Sequence, residues 1–145
     1  MSISVEKVQN KKQFEEIFEI RKVVFVQEQH VSPEEEYDEF EETSTHFIAY
    51  VDGVPAGTAR WRFTKNGVKL ERFAVLKSAR GNGVGQALVQ AVIDDISATE
   101  EAKGKLLYMH AQLTAMPLYA KFGFEKVGEI FEECNIMHYQ MERYL

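Results

Sequence analysis

A single cysteine, Cys134, is all the thiol chemistry in this 145-residue sequence. One thiol cannot close an internal disulfide or build a thiolate metal cage, and such usage fits a reducing compartment, so a cytoplasmic protein is expected. Long apolar runs are missing as well. Stretches such as Val23 to Val26 fall far short of the roughly 18 residues a membrane span needs, so no membrane partner is expected. The opening Met-Ser-Ile-Ser-Val-Glu-Lys lacks the basic start and apolar stretch of a secretory signal. Prolines number three, all isolated, with no repeat or Ser-rich linker, and the expectation is one continuous domain over residues 1–145.

Positive charge is absent from one long segment. Between Val23 and Ala59 there is no lysine or arginine, while Glu28, Glu34, Glu35, Glu36, Asp38, Glu39, Glu41, Glu42 and Asp52 together carry −9. Since the whole chain is −6, the remainder is +3. Phosphate neutralisation needs clustered cations, so no nucleic-acid partner is expected. The acidic run reads either as a solvated helix or loop, or as a rim that attracts a cationic substrate.

What is present is enough apolar material, 45%, for one core, and a clear change of periodicity along the chain. Alternation over residues 2–8 predicts a half-buried strand. Phe14, Ile17, Phe18, Arg21, Val24 and Phe25 then recur at helical spacing along one stripe. Arg21 is the odd member: it either snorkels or reaches a carboxylate of the acidic run. Turn signals at Asp52-Gly53 and Asn66-Gly67 separate three strand-like runs, His46 to Val51, Val54 to Thr64 and Val68 to Val75, and predict an antiparallel meander. A helix over Gly83 to Ser97, a buried strand over Leu106 to Ala111, a short helix over Ala115 to Phe122 and strands over Phe124 to Ile130 and Ile136 to Arg143 complete the order. A strand-helix-strand unit in the middle implies one parallel pair inside a mixed sheet covered by helices.

Arg80-Gly81-Asn82-Gly83-Val84-Gly85-Gln86 lies between a predicted strand and a predicted helix. Backbone N–H groups at a helix start lack intrahelical acceptors, glycines permit close approach, and Arg80 adds a full positive charge, so the loop suits an anion. The nucleoside-triphosphate P-loop would need Gly-Lys-Ser/Thr where Gly85-Gln86-Ala87 stands. The dinucleotide fingerprint fails on spacing and on the meander that precedes the loop.

The loop, following the strand Leu70-Glu71-Arg72-Phe73-Ala74-Val75, resembles the acetyl-CoA-binding motif of the GNAT N-acetyltransferase superfamily. The element order resembles that family's, and so does Ala115 to Phe124, with its aromatic-Gly-Phe turn. Arg21 to Gln29, His110-Ala111-Gln112 and Glu132 to His138 resemble the small bacterial YjcF/ElaA-like branch. The resemblance implies an α/β (α+β) fold with a mixed, mostly antiparallel sheet of six to seven strands flanked by helices. It also implies an acetyl-CoA-dependent N-acetyltransferase acting on a primary amine, by direct attack in a ternary complex. Its cofactor residues would be Phe73, Ala74 and Val75 along the pantetheine arm and Gly81, Asn82, Gly83, Val84, Gly85 and Gln86, with Arg80, around the pyrophosphate. The Val75 N–H would polarise the thioester carbonyl, and Tyr119 matches the family's general acid.

The general base stays open among Glu28, Glu71, His110 and His138, any of which can accept an ammonium proton directly or through water. Glu28, Glu71, Gln112 and His138 are the substrate-side candidates, and Glu28 and His110 the catalytic ones beside Tyr119. His110 and Gln112 share one strand face. Trp61 and Phe63 share another and read as core or cleft wall, while Glu129, Glu132 and Glu133 read as a solvated cluster or as part of the same mouth. Cys134 reads as packing, metal-ligand spacing is absent, and no metal is expected. A monomer or homodimer is expected. Two other readings stay open: a non-catalytic acyl-CoA-binding module, because fold does not fix function, and an acyl-homoserine lactone synthase, suggested by Arg21-x-x-Val24-Phe25 and Glu36-Tyr37-Asp38.

Overall fold

The computed structural model describes residues 1–145. Strand β1 (Ile3–Lys7) leads into α1 (Lys11–Arg21), a π-helical segment (Lys22–Glu28) and the short α2 (Pro33–Glu36). The meander β2 (Thr45–Val51), β3 (Val54–Thr64) and β4 (Gly67–Val75) follows, then α3 (Val84–Ser97), β5 (Leu107–Gln112), α4 (Met116–Ala120), β6 (Glu125–Glu133) and β7 (Ile136–Arg143). Seven strands form one sheet in the order β1-β2-β3-β4-β5-β7-β6, antiparallel except for β4 against β5. The expected mixed, mostly antiparallel sheet and its single parallel pair are both present. No helix is long and apolar enough to cross a membrane.

Local chemistry explains most element ends. The Asn10 side chain accepts from the Gln13 N–H, and Gln13 accepts in turn from the Gln9 N–H, so two orphan donors at the start of α1 are satisfied. Ser32 caps α2 at Glu35, with Pro33 in the first turn. Asp52 and Gly53 both adopt positive φ, 50° and 81°, which is the tight hairpin their dipeptide predicts. The β6–β7 hairpin uses the same geometry at Cys134 and Asn135, φ 52° and 63°, a turn that Cys134 does not advertise.

One sheet face packs under α3, whose Val84, Leu88, Val89, Val92, Ile93 and Ile96 are buried against Ala59, Trp61, Leu70 and Met109. Each such side chain contributes about 1.5–3 kcal/mol by leaving water. Trp61 also donates its indole N–H to Asp95 at 3.0 Å, while Phe63 lies at the surface. The other face lies under α1 and the π segment, where Ile20, Val24 and Phe25 meet Ala74. The helical stripe that starts at Phe14 therefore does not stay α-helical: after Arg21 the winding loosens, and the Gln29 N–H bonds back five residues to Val24 at 3.0 Å.

Part of the acidic run forms an internal ion network. Arg21 donates to Glu36 and Glu41 at 2.6–2.8 Å, so of its two expected fates it takes the carboxylate. Arg60, on β3 and fully buried, reaches Asp38, Glu41 and Glu71. Arg72 donates to the Glu36 carbonyl at 3.1 Å and to Asp38 at 3.2 Å. Glu36, Asp38 and Glu41 are thus committed to arginines from the sheet and α1, which corrects the reading of the whole run as free attraction for a cation.

Candidate active site

A bulge in β4 creates the site. Thr58 pairs with Ala74 and Arg60 with Glu71, so Ala59 alone faces both Arg72 and Phe73, and Arg72 takes a left-handed φ of 58°. The bent strand keeps only two partners on β5, Val68 with Leu107 and Lys69 with Tyr108, while β5 stays paired to β7 as far as Gln112 with His138. The sheet therefore splays. A cleft of about 780 Å³ opens between β4 and β5, and neighbours on opposite strand faces, Met109 and His110, both reach it.

Backbone direction at the splay follows from strand alternation. The Leu76 N–H donates to the Ala56 carbonyl at 2.8 Å, so the polar groups of Val75 turn away from β3. Its carbonyl accepts Arg80 Nε at 2.9 Å, and its N–H faces the same side.

Beyond β4, Gly81 and Gly83 carry φ of 80° and 90°, and Gly83 is the N-cap of α3. The first helical bond runs from the Ala87 N–H to the Gly83 carbonyl at 3.0 Å, so the N–H groups of Val84, Gly85 and Gln86 have no intrahelical acceptor. No side chain caps them. A Cβ on Gly83 would meet no atom within 4 Å, so an alanine there costs backbone strain alone, about 1–2 kcal/mol. Gly83→Ala is expected to lower Tm by roughly 2–8 °C in thermal melts, and an unchanged Tm would contradict the left-handed cap.

Arg80 is not free at this loop. Its guanidinium forks onto Glu28 with two bonds of 2.6 Å and holds that carboxyl below the usual range. Glu28 therefore enters the cleft as the partner of an arginine, which does not suit a base. Glu71 is likewise bound, by Arg60, Arg62 and Lys69, and these cations keep it ionised against the opposing effect of burial. Both carboxylates meet an arginine from another segment, Glu28 from the loop after β4 and Glu71 from β3.

Tyr119, on α4, is 7% exposed, with its ring edge-on to Phe73 at 5.6 Å. Its hydroxyl has no hydrogen-bond partner in the protein yet lines the cleft, and burial raises its pKa well above the ordinary phenol value. His110 donates Nδ1–H to Glu133 at 3.0 Å. His138 is buried, donates Nδ1–H to the Ile136 carbonyl at 2.7 Å and stacks on Phe131. Gln112 exchanges two amide bonds, 2.9 and 3.3 Å, with Gln29 at the end of the π segment, tying α1 to β5.

Of the residues singled out in the sequence, Tyr119, His110, His138, Gln112, Glu28 and Glu71 thus share one cleft, together with Phe73, Ala74, Val75 and Arg80. Gly81 to Gln86 lie outside its lining. Arg60, Arg72 and Gln29 escaped the sequence reading as site residues, while Glu133, read there as solvated or as part of the mouth, lines the cleft. Arg60 carried a faint signal, a charge between Ala59 and Trp61 in a strand otherwise rich in core residues. Cys134 donates to Glu35 at 3.0 Å, and its thiol pKa is pushed up to about 11 by burial and by that carboxylate, which suits packing rather than nucleophilic chemistry.

Comparison with known proteins points the same way. A family profile described as an acetyltransferase (GNAT) domain matches residues 8–145. The chain is 41% identical over 133 residues to the uncharacterized N-acetyltransferase YjcF of Bacillus subtilis (strain 168), covering 91% of this chain and 93% of that protein. The crystal structure of Escherichia coli ElaA superposes with a TM-score of 0.82 at 24% identity, covering 98% of this chain and 99% of that one. A GNAT family acetyltransferase from Elizabethkingia anophelis, solved with acetyl-CoA bound, superposes with a TM-score of 0.73 at 13% identity over 99% and 98% of the two chains.

Proposed function

The chain belongs to the GNAT acetyltransferase family, and from that premise we propose that it transfers the acetyl group of acetyl-CoA to a primary amine by direct attack in a ternary complex. The observation that carries this reading is the splay. It puts an outward-facing Val75 N–H, the unpartnered Tyr119 hydroxyl and His110 on one cleft, at the foot of a helix whose first N–H groups are free. The bound acetyl-CoA of the Elizabethkingia structure supports the same ligand here.

The residues fit such a ligand. The N–H groups of Val84, Gly85 and Gln86, with the backbone of Gly81 to Gly83, would hold its pyrophosphate, and Phe73, Ala74 and Val75 its pantetheine arm. Arg80 lies beside this loop, held by Glu28. Acetyl-CoA supplies an activated thioester, and the remaining work falls on the chain's own groups. The Val75 N–H stabilises charge on the carbonyl oxygen in a cleft sheltered from water. Tyr119 donates its proton to the departing thiolate, and His110 Nε2 accepts the proton released by the attacking amine. The net result is amide and free thiol, with one proton moved from nitrogen to sulfur once the His110 imidazolium and the Tyr119 phenolate return to neutral through solvent.

Among the base candidates His110 is favoured, because Glu28 and Glu71 are bound to cations and His138 is buried and stacked. Glu28 and Gln112 border the acceptor side. Calorimetry with acetyl-CoA, run beside thiol release over a panel of primary amines, tests the proposal. Saturable binding with acceptor-dependent release is expected. Binding with release from no amine would replace the enzyme by an acyl-CoA-binding module.

A further inference from the structure

We infer that Glu133 is a positioning residue that holds His110 as the Nδ1–H tautomer, leaving Nε2 to take the amine's proton. This rests on the transfer reading above. Glu133 stands apart from the other carboxylates of the cleft. Glu28, Glu36, Asp38 and Glu71 each bind an arginine or lysine and Glu35 accepts from Cys134, whereas Glu133 accepts from the imidazole of His110 at 3.0 Å. At 45% side-chain exposure such a contact adds little stability, so its use is orientation.

The pair sits on paired strands and stacked rings. Glu133 is the last residue of β6, paired with Ile136 across the tight Cys134–Asn135 turn. Phe131, two residues earlier on the same strand, meets the His110 ring edge-on at 5.1 Å and stacks on His138 at 5.7 Å. The imidazole is therefore held at Nδ1 by a carboxylate and packed near-perpendicular to the Phe131 ring. The hydrogen bond from His110 holds the Glu133 carboxyl below its usual range, so it accepts Nδ1–H as an anion. As the amine nitrogen bonds to the acetyl carbon and the carbon–sulfur bond breaks, the amine proton goes to Nε2 and the Tyr119 proton to sulfur. Glu133 keeps its bond to Nδ1–H throughout and takes no proton, the division of labour seen when a carboxylate orients a histidine base.

The experiment combines nitrogen-15 NMR of the histidine rings with steady-state kinetics for wild type, Glu133→Ala and Glu133→Gln. His110 signals are assigned with a His110→Gln variant. In wild type the neutral ring is expected to report Nδ1–H. Glu133→Ala is expected to lose that preference and to lower kcat about tenfold or more with the KM for acetyl-CoA unchanged. Glu133→Gln, whose amide oxygen still accepts, is expected to restore the tautomer and part of kcat. A tautomer unchanged by Glu133→Ala overturns the inference, as does a kcat equal to wild type in an active enzyme. If the wild type acetylates no amine but Glu133→Ala still scrambles the tautomer, the transfer reading fails and the positioning contact stands. Melting curves of each variant separate either result from unfolding.

Discussion

Tyr119→Phe lowers kcat by roughly a hundredfold or more, while acetyl-CoA binds the variant as it binds the wild type. The substitution removes one atom. The ring keeps its edge contact with Phe73, and no hydrogen bond within the protein is lost because the hydroxyl makes none. Stability should hold, since the hydroxyl opens on the cleft and makes no bond within the protein that the substitution could break. What disappears is the proton for the leaving thiolate. Burial keeps the phenol protonated, so its ionisation removes no activity below pH of about 10. Thiol release, calorimetry with acetyl-CoA and a thermal melt measure the three quantities separately. A parallel loss of binding and turnover would make Tyr119 a structural tyrosine and leave the departing thiolate without its donor.

The second large effect falls on stability. Arg60 is fully buried and donates through Nε to Glu71, through Nη1 to Asp38 and Glu41, and through Nη2 to Asp38, at 2.5–3.0 Å. Arg60→Met is expected to cost up to about 3 kcal/mol, because it removes the cation shared by three partly buried carboxylates and leaves Asp38 with Arg72, Glu41 with Arg21, and Glu71 with Arg62 and Lys69. That is a large share of the roughly 5–15 kcal/mol that holds a typical domain folded. Arg60→Lys should recover little, since one ammonium cannot replace a planar fork shared by three carboxylates. Urea midpoints measure the loss, and a cost below about 1 kcal/mol would mean that the network adds nothing net.

The same network sets an acid limit. Asp38, Glu41 and Glu71 have carboxyl pKa values lowered by their arginines in the folded chain. Groups shifted in that direction add stability above their unfolded values, near pH 4, and lose it as the pH falls through the folded ones. Wild-type urea midpoints should therefore fall on acidification below about pH 4. Arg60→Met should show a flatter acid limb, because its carboxylates have less to lose.

How far these features can be read without coordinates depends on the distance in sequence over which they form. The Asp52-Gly53 hairpin, the glycine loop before α3 and the apolar stripe of α3 rest on residues within a few positions of one another, and all three are legible. Tyr119 is legible through the segment that surrounds it. The π winding of Lys22–Glu28 is not, because α and π helices place Val24 and Phe25 on similar faces, and packing on Ala74 decides between them. The bulge at Arg72 leaves no mark either, since nothing in Arg72-Phe73 asks for a left-handed residue.

Charges divide along the same line. Composition and spacing by themselves establish an acidic chain, its element order and an anion-ready loop, because backbone geometry and periodicity are local properties. The role of each carboxylate depends on contacts across tens of residues: Glu28 with Arg80, Asp38 with Arg60, Glu133 with His110. A carboxylate bound to arginine, one bound to imidazole and one left to solvent are identical letters in a sequence. Only the folded sheet, by choosing which cation or ring each one meets, separates structure from chemistry.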